Sequence, residues 1–236
     1  MSLQRLDKII ASMGQHSRKD VKNLIKARKI SVNGTIVSSS DIKCDPKSDE
    51  IIVDGIRLNY SEHIYIMLNK PAGVLSATTD AHDRTVLDLI PSEYRKPDMF
   101  PVGRLDKDTE GLLLLTDDGV LAHELLSPRK HVDKTYFVRL EGCLNKDHVK
   151  AFADGVTLAD GYECMGAKLE ILNSDEALIT IREGKFHQIK RMFGTINMPV
   201  LYLKRLTMGA LSLDENLEPG QFRMLTSNEI ELLQKS

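Results

Sequence analysis

The 236-residue sequence has no tryptophan, few other aromatic residues and only three cysteines. Cys44, Cys143 and Cys164 are odd in number and form no CxxC spacing, so we expect neither a disulfide framework nor a thiolate metal site. No apolar run approaches the roughly 18 residues that a membrane span requires, and residues 1–7 lack the basic start and apolar middle of a signal peptide. These absences predict a globular cytoplasmic protein that makes no membrane contact.

Positive charge is not in excess overall, but it is concentrated at one end of the chain. The formal net charge is −2, a value that does not by itself suggest a nucleic-acid partner. Residues 1–60 carry 11 Lys and Arg against 7 Asp and Glu, whereas residues 61–236 carry 21 against 27. Phosphate backbones respond to local basic patches more than to net charge, so the N-terminal segment is a candidate nucleic-acid-binding surface.

Apolar spacing and turn residues predict two helices and a hairpin in this basic segment. A first helix is expected over residues 5–14, and Ser17 is expected to cap a second helix. Asn33 and Gly34 join two β-rich runs and predict a tight hairpin, and a further strand is expected over residues 50–55. Three lysines fall on the polar side of the second helix at spacings of three and four: Lys19, Lys22 and Lys26.

This order of elements resembles the S4 RNA-binding module over residues 5–58. The matching residues are Arg5-Leu6-Asp7, Ser17-Arg18 and Val32-Asn33-Gly34. The resemblance implies structured RNA as the ligand, bound largely through phosphates and shape, with Arg18, Lys19, Lys22 and Lys26 as contacts. A solvated helix face without a partner is the alternative. We place the boundary between two domains after residue 60, giving domains of residues 1–60 and 61–236.

The most conspicuous stretch of the second domain covers residues 103–119. Its four consecutive leucines at 112–115 predict a buried strand, because so apolar a run cannot face water on either side. The polar residues before them must then lie in a loop at the edge of the core. A carboxylate there has to be paired or used in chemistry, so Asp106, close to Arg104, is the first candidate for an active-site residue.

Three further segments contribute candidate residues. A strand over residues 65–69 leads to Lys70, and a strand over residues 134–140 carries Tyr136. A strand over residues 177–181 leads into a helix whose first turns carry cations and attract anions. Those cations are Lys185, His187, Lys190 and Arg191. The alternative interpretation of Tyr136 is a tyrosine that only packs in the core, and that of the four cations is a solvated helix face.

A single carboxylate at the core edge limits the chemistry. Metal-assisted phosphodiester cleavage needs several carboxylates or histidines around divalent ions, which the core strands do not present. A glycosidase needs a second acid, and the other acids are only sequence neighbours: Asp108, Glu110, Asp117 and Asp118. One carboxylate suits a covalent or base role at a sugar or base carbon of a nucleotide extruded from folded RNA. Arg104 and Tyr136 are suited to fill the gap and to stack on the base.

Four ordered motifs resemble those of the RNA pseudouridine synthases. They are Leu68-Asn69-Lys70-Pro71, Gly103-Arg104-Leu105-Asp106 with Thr109 and the leucine strand, Lys134-Thr135-Tyr136, and residues 183–192. With the S4-like module in front, nearly the whole chain resembles a branch of that family that modifies rRNA. The resemblance implies an α+β fold, in which a small S4-like α/β module precedes a larger catalytic domain with a mixed, mainly antiparallel sheet.

The resemblance also implies a role for each matching residue. Asp106 is implied to be the essential catalytic carboxylate, paired with Lys190. Tyr136 is implied to stack on the target base, and Arg104 to occupy the space of the flipped uridine. Ile189, which would pack on the Tyr136 ring, lines the implied substrate pocket together with Lys70 and Leu105. The implied RNA contacts of this domain are Lys185, His187 and Arg191. Lys190 and Thr207 depart from the pattern of some relatives, which carry arginine and a basic residue there.

The implied reaction is the isomerisation of uridine to pseudouridine, without a cofactor or a metal ion. The N-glycosidic bond breaks, the uracil turns and a C–C bond forms, so we expect a closed pocket that retains the uracil and excludes water. The implied partner is 16S rRNA in a partly assembled small subunit, and the implied target is a uridine of the 516 type. The enzyme is expected to be a monomer. A synthase acting on 23S rRNA and a non-catalytic S4-type assembly factor are the alternatives.

Overall fold

The computed structural model describes residues 3–13, 16–46, 48–58, 60 and 62–235. Contacts divide the chain into two compact units, one of residues 1–64 with 90–99 and the other of residues 65–89 with 100–236. The predicted boundary after residue 60 placed residues 90–99 in the second domain, whereas the contacts assign them to the first unit. Within the described ranges, no helix has both the length and the apolar character needed to cross a membrane.

The described residues of the first unit form two α-helices and six short strands. They are β1 (Gln4–Arg5), α1 (Leu6–Ser12), α2 (Arg18–Lys26), β2 (Ile30–Val32), β3 (Thr35–Ile36), β4 (Lys43–Cys44), β5 (Ile51–Val53) and β6 (Ile56–Arg57). Strands β3, β2, β5 and β6 form an antiparallel sheet in that order, and β1 pairs with β4. Both helices bury their apolar faces in one core, which contains Leu6, Ile9, Ile10, Val21 and Ile25.

Two local predictions in the first unit are confirmed. The Ser17 hydroxyl accepts a hydrogen bond from the Asp20 backbone amide (3.2 Å), and the Ser17 amide donates to the Asp20 carboxylate (2.9 Å). This reciprocal capping box starts α2 where expected. Asn33 and Gly34 both have positive φ, 49° and 78°, as a tight hairpin turn between β2 and β3 requires.

Two details of the first unit differ from the prediction. Helix α1 begins after Arg5, because Arg5 pairs with β4 as part of β1. Its predicted stop, Gly14, lies outside the described residues. The strand expected over residues 50–55 is a hairpin, because Asp54 and Gly55 have positive φ and turn β5 into β6. The Asp-Gly pair carried that turn signal in the sequence.

The described residues of the second unit form one nine-stranded sheet and four α-helices. Its elements are β7 (Tyr65–Lys70), β8 (Phe100–Pro101), β9 (Glu110–Thr116), α3 (Gly119–Leu126), β10 (Lys134–Leu140), α4 (Lys146–Asp154), β11 (Lys168–Ile171), β12 (Glu176–Ile181), α5 (Gln188–Gly194), β13 (Val200–Met208), β14 (Leu211–Ser212), β15 (Phe222–Met224) and α6 (Ser227–Gln234). The order is β11-β12-β10-β13-β9-β7-β15, with β14 beside β13 and β8 beside β9. All pairs are antiparallel apart from β9 with β13, which confirms the predicted fold class.

The leucine strand β9 is buried on both faces, as predicted. All four leucines have no solvent exposure, and Leu112 and Leu114 pack in one cluster with Leu121 of α3. Gly111 lies within this strand at φ 101°. A Cβ there would lie 2.2 Å from the Arg205 carbonyl oxygen, so only glycine lets β9 approach β13 this closely.

The segment between residues 145 and 174 contains helix α4 and strand β11, which pairs with β12 at the edge of the sheet. The rings of Phe152 and Phe193 lie 4.8 Å apart and join α4 to α5. Helix α5 is thereby fixed against the core directly after the basic turn that precedes it.

Candidate active site

Strand register alone brings the four sequence motifs together. Lys70 lies opposite Gly111, Gly111 opposite Arg205, Arg205 opposite Tyr136, and Tyr136 opposite Ile179. Neighbouring strands are about 4.8 Å apart, so one row across the sheet joins the end of β7, the loop before β9, the start of β10 and the strand before α5. The loop of residues 103–109 therefore lies at the centre of the sheet.

Lys70 supports this loop from behind. Its side chain has no solvent exposure, and its ammonium donates to the carbonyl oxygens of Asp106 (3.1 Å), Lys107 (3.3 Å) and Thr109 (2.8 Å). Burial lowers the pKa of Lys70 to about 8. The side chain predicted to line the substrate pocket thus lies under the loop that carries Asp106.

Ser76 holds the same loop from a second side. Its hydroxyl accepts a hydrogen bond from the Leu105 amide (3.0 Å) and donates to the Leu105 carbonyl (2.9 Å). Ser76 is buried, and it lies in a segment whose sequence gives no sign of this contact. With Lys70 and Ser76 in place, the backbone on both sides of Asp106 is fixed.

The Asp106 carboxylate faces two basic side chains of the turn and helix after β12. Lys190 Nζ lies 3.1 Å from its Oδ2, and His187 Nε2 lies 3.6 Å from its Oδ1. Lys190 also donates to Asp108 Oδ1 at 2.6 Å, although the sequence offered Asp108 only as a candidate second acid. Burial opposes the charge on Lys190, but the hydrogen bonds to Asp108 and Asp106 outweigh it and raise the pKa of Lys190. Lys190 is therefore a cation held between two carboxylates.

A cavity of about 70 Å³ opens in front of Asp106. Tyr136 and Ile189, 7% and 4% exposed, contribute to its walls, and Leu105 is buried beside them. Two larger cavities, of about 400 and 340 Å³, adjoin it. The exposed side chains of Arg104 and Lys185 contribute to all three.

Arg205 is a site residue that sequence reasoning missed. It is 2% exposed, its Nε donates to the Leu112 carbonyl (2.7 Å), and it lines the cavity of about 400 Å³ together with Tyr136. Among the described residues, its second terminal nitrogen has no hydrogen-bond partner. In the sequence Arg205 is only one of two adjacent cations within a strand, and nothing there shows that it is buried.

The predicted RNA contacts fall into three groups. Lys185 lines both cavities that Asp106 borders, and His187 lines the smaller of the two. Arg191 instead forms an ion pair with Asp160 and donates to the Phe186 carbonyl. The cations of the first unit are exposed along α2: Arg18, Lys19, Lys22 and Lys26.

This geometry suits chemistry on an uncharged ring. One partly exposed carboxylate stands against a cation that compensates its charge, beside a buried aromatic ring in a small cavity. Such a carboxylate can attack a carbon or move a proton, and the tyrosine ring offers a stacking surface to a base. Among the residues that the structure describes, no three His, Cys, Asp or Glu side chains form a group that could hold a metal ion.

Comparisons with known proteins give the family. A family model described as RNA pseudouridylate synthase matches residues 64–195, and a model of the S4 domain matches residues 4–51. A Bacillus subtilis protein named uncharacterized RNA pseudouridine synthase YtzG is 47% identical, covering 97% of this chain and 98% of its own. Ribosomal small subunit pseudouridine synthase A of Yersinia pestis is 39% identical, covering 96% of each chain. The enzyme of the same name from Salmonella typhimurium is 40% identical, covering 96% and 98%.

A solved structure agrees with the sequence relatives. A structure described as the crystal structure of pseudouridylate synthase is 36% identical, covers 98% of this chain and 99% of its own, and superposes with a TM-score of 0.68. The family that the four motifs suggested is confirmed over both the S4 module and the sheet that carries Asp106. The chain therefore belongs to the RNA pseudouridylate synthase family, in which it is an S4-domain enzyme that isomerises uridine to pseudouridine in RNA.

Proposed function

We propose that this enzyme acts on 16S rRNA, at a uridine of the 516 type. The support is full-length similarity, at 37–40% identity, to relatives named ribosomal small subunit pseudouridine synthase A. The basic first unit supports an RNA substrate with folded structure, because α2 presents its cations to solvent on one side. Arg18, Lys19, Lys22 and Lys26 would bind phosphates there.

Asp106 is the proposed catalytic group, and the observation that carries this assignment is its pairing with Lys190 in the cavity walled by Tyr136 and Ile189. The reaction breaks the bond between N1 of uracil and C1′ of ribose and forms a bond between C5 and C1′. The proton on C5 is lost and N1 gains a proton, so no atom is added overall. Tyr136 stacks on the base, and the walls keep the uracil in place while it turns.

Arg104 is the proposed gate of this site. The cavity of about 70 Å³ is small beside the roughly 300–1,000 Å³ typical of ligand sites, so a nucleotide needs more room than the free protein offers. Arg104 is exposed and borders all three cavities, so its displacement joins them. When Arg104 turns into the RNA helix, it fills the space that the flipped uridine leaves, and the pocket opens.

Pseudouridine mapping in rRNA from cells that lack this protein tests the proposed target. We expect one 16S position to lose its pseudouridine, and expression of the wild-type chain to restore it. The variant Asp106→Asn serves as the matched control, because it keeps the RNA-binding surfaces and should not restore the modification. Loss of a 23S position would instead assign the enzyme to the large subunit. Unchanged modification at every rRNA position would favour a non-catalytic assembly factor.

A further inference from the structure

Phe186 is a large apolar side chain exposed beside the active site. It is 75% exposed, which alone is unremarkable for a single surface residue. Its ring, however, stacks on the His187 imidazole, with centroids 3.8 Å apart and planes at 20°. The same imidazole lies 3.6 Å from Asp106. One stacked ring therefore separates the exposed phenyl group from the catalytic carboxylate.

The turn that carries Phe186 is firmly held. The Gln188 side chain, in a residue 4% exposed, accepts from the Lys185 amide (3.0 Å) and donates to Glu183 (2.8 Å). His187 has φ 49°, a left-handed conformation that non-glycine residues rarely adopt. Such a conformation persists only where its surroundings enforce it. The ring of Phe186 is thus presented to solvent from a preorganised position.

Phe186 also forms part of the cavity of about 340 Å³ next to Asp106. Apolar surface from Leu75 and Ala77 lines this cavity, and Arg104 and Lys185 provide positive charge. Aromatic and apolar surface combined with cations matches a base attached to a phosphate backbone. The cavity shares Arg104 and Asp106 with the smaller one that the uridine enters, so one RNA strand can occupy both.

We propose that the cavity of about 340 Å³ binds an unpaired base next to the target uridine, and that this base stacks on the ring of Phe186. The proposal rests on the uridine-modifying function of Asp106. It implies that the enzyme recognises an opened strand of at least two nucleotides. Phe186 is then a positioning residue, which determines how well the RNA is held and leaves the chemical step to Asp106.

The absence of tryptophan from the chain provides a direct probe. Phe186→Trp introduces one indole at the proposed stacking position, and Val120→Trp introduces one at a control position that is also 75% exposed. Both are titrated with the rRNA transcript on which the wild-type protein is active. We expect quenching of the indole emission in the Phe186→Trp protein and little change of emission in the control. Equal quenching in both variants, or none in Phe186→Trp, overturns the proposal.

Kinetics of Phe186→Leu provide the second measurement. Leucine keeps apolar area but has no aromatic face, so we expect KM for the transcript to rise about 5- to 150-fold with little change in kcat. An unchanged KM on naked RNA contradicts base stacking. If KM rises only on partly assembled ribosomal particles, the surface contacts a protein and the proposal is wrong. Absence of activity in the wild-type chain on every rRNA transcript would instead contradict the proposed function.

Discussion

Lys190 holds its ammonium group 3.1 Å from the carboxylate of Asp106, although the two residues are 84 positions apart in the chain. Sheet register and the fixed turn before α5 create this pair. Asp108 shares the same ammonium at 2.6 Å but is largely exposed, with 73% of its side chain accessible. The two carboxylates are therefore expected to differ in their importance for catalysis.

Neutralising Lys190 should slow the chemical step much more than neutralising Asp108. We expect Lys190→Met to lower the single-turnover rate about 100-fold or more, as loss of a preorganised charge at a reacting group does. Lys190→Arg keeps the charge and should retain more activity. Asp108→Asn leaves Lys190 paired with Asp106 and should cost less than about tenfold. Equal losses in Lys190→Met and Asp108→Asn would show that the pair with Asp106 has no special role.

Lys70 should make stability depend on pH above neutrality. Burial lowers its pKa in the folded protein from 10.5 to about 8. Between these values the unfolded chain binds more protons at this site, so the free energy of unfolding rises with pH there. In Lys70→Met the other groups titrate as they do in the wild type. Relative to this variant, the free energy of unfolding of the wild type should rise by roughly 1–3 kcal/mol between about pH 7 and pH 10. Urea unfolding of both proteins at several pH values measures this change. If the difference between their free energies of unfolding did not vary with pH, the lowered pKa of the buried Lys70 ammonium would be contradicted.

Gly111 should tolerate no side chain. Its φ is 101°, and an added Cβ would meet the backbone of Arg205 on β13. We expect Gly111→Ala to lower the free energy of unfolding by about 2–5 kcal/mol. Gly119→Ala is the control, because nothing lies within 4 Å of its Cβ position at the start of α3, and it should be neutral or stabilising. Similar denaturation midpoints for the two variants would be inconsistent with this close strand approach.

The cations of α2 should set the salt dependence of RNA binding. Replacing three exposed lysines together, in Lys19→Gln/Lys22→Gln/Lys26→Gln, should reduce the slope of log K against log salt by about 2–3. A control with the same charge change replaces lysines of the second unit: Lys146→Gln/Lys150→Gln/Lys168→Gln. Filter binding at several salt concentrations measures both slopes. If the two triple variants lose the same slope, α2 has no special role in binding phosphates.

Local features of the structure could be predicted from sequence, because their causes lie within a few residues. The Ser17 capping box, the Asn33-Gly34 turn and the leucine strand are of this kind. The Asp54-Gly55 hairpin carried an equally local signal that the prediction did not use.

Contacts between distant segments could not be predicted in the same way. The motifs indicated that Asp106 and Lys190 belong to one site, but only the register across the sheet specifies how they meet. The support of the loop by Ser76 leaves no pattern in the sequence, since a lone serine is common anywhere. Arg205 became recognisable only when its burial beside Gly111 was known.

The most direct test of the central claim is tritium release from 16S transcripts that contain 5-tritiated uridine. We expect Asp106→Asn to bind the transcript like the wild type but to release no tritium above background, because the C5 proton leaves only when the isomerisation proceeds. Asp154→Asn, at the exposed end of α4, makes the same chemical change away from the site and should release tritium at the wild-type rate. Substantial tritium release by Asp106→Asn would contradict the assignment of Asp106 as the catalytic carboxylate.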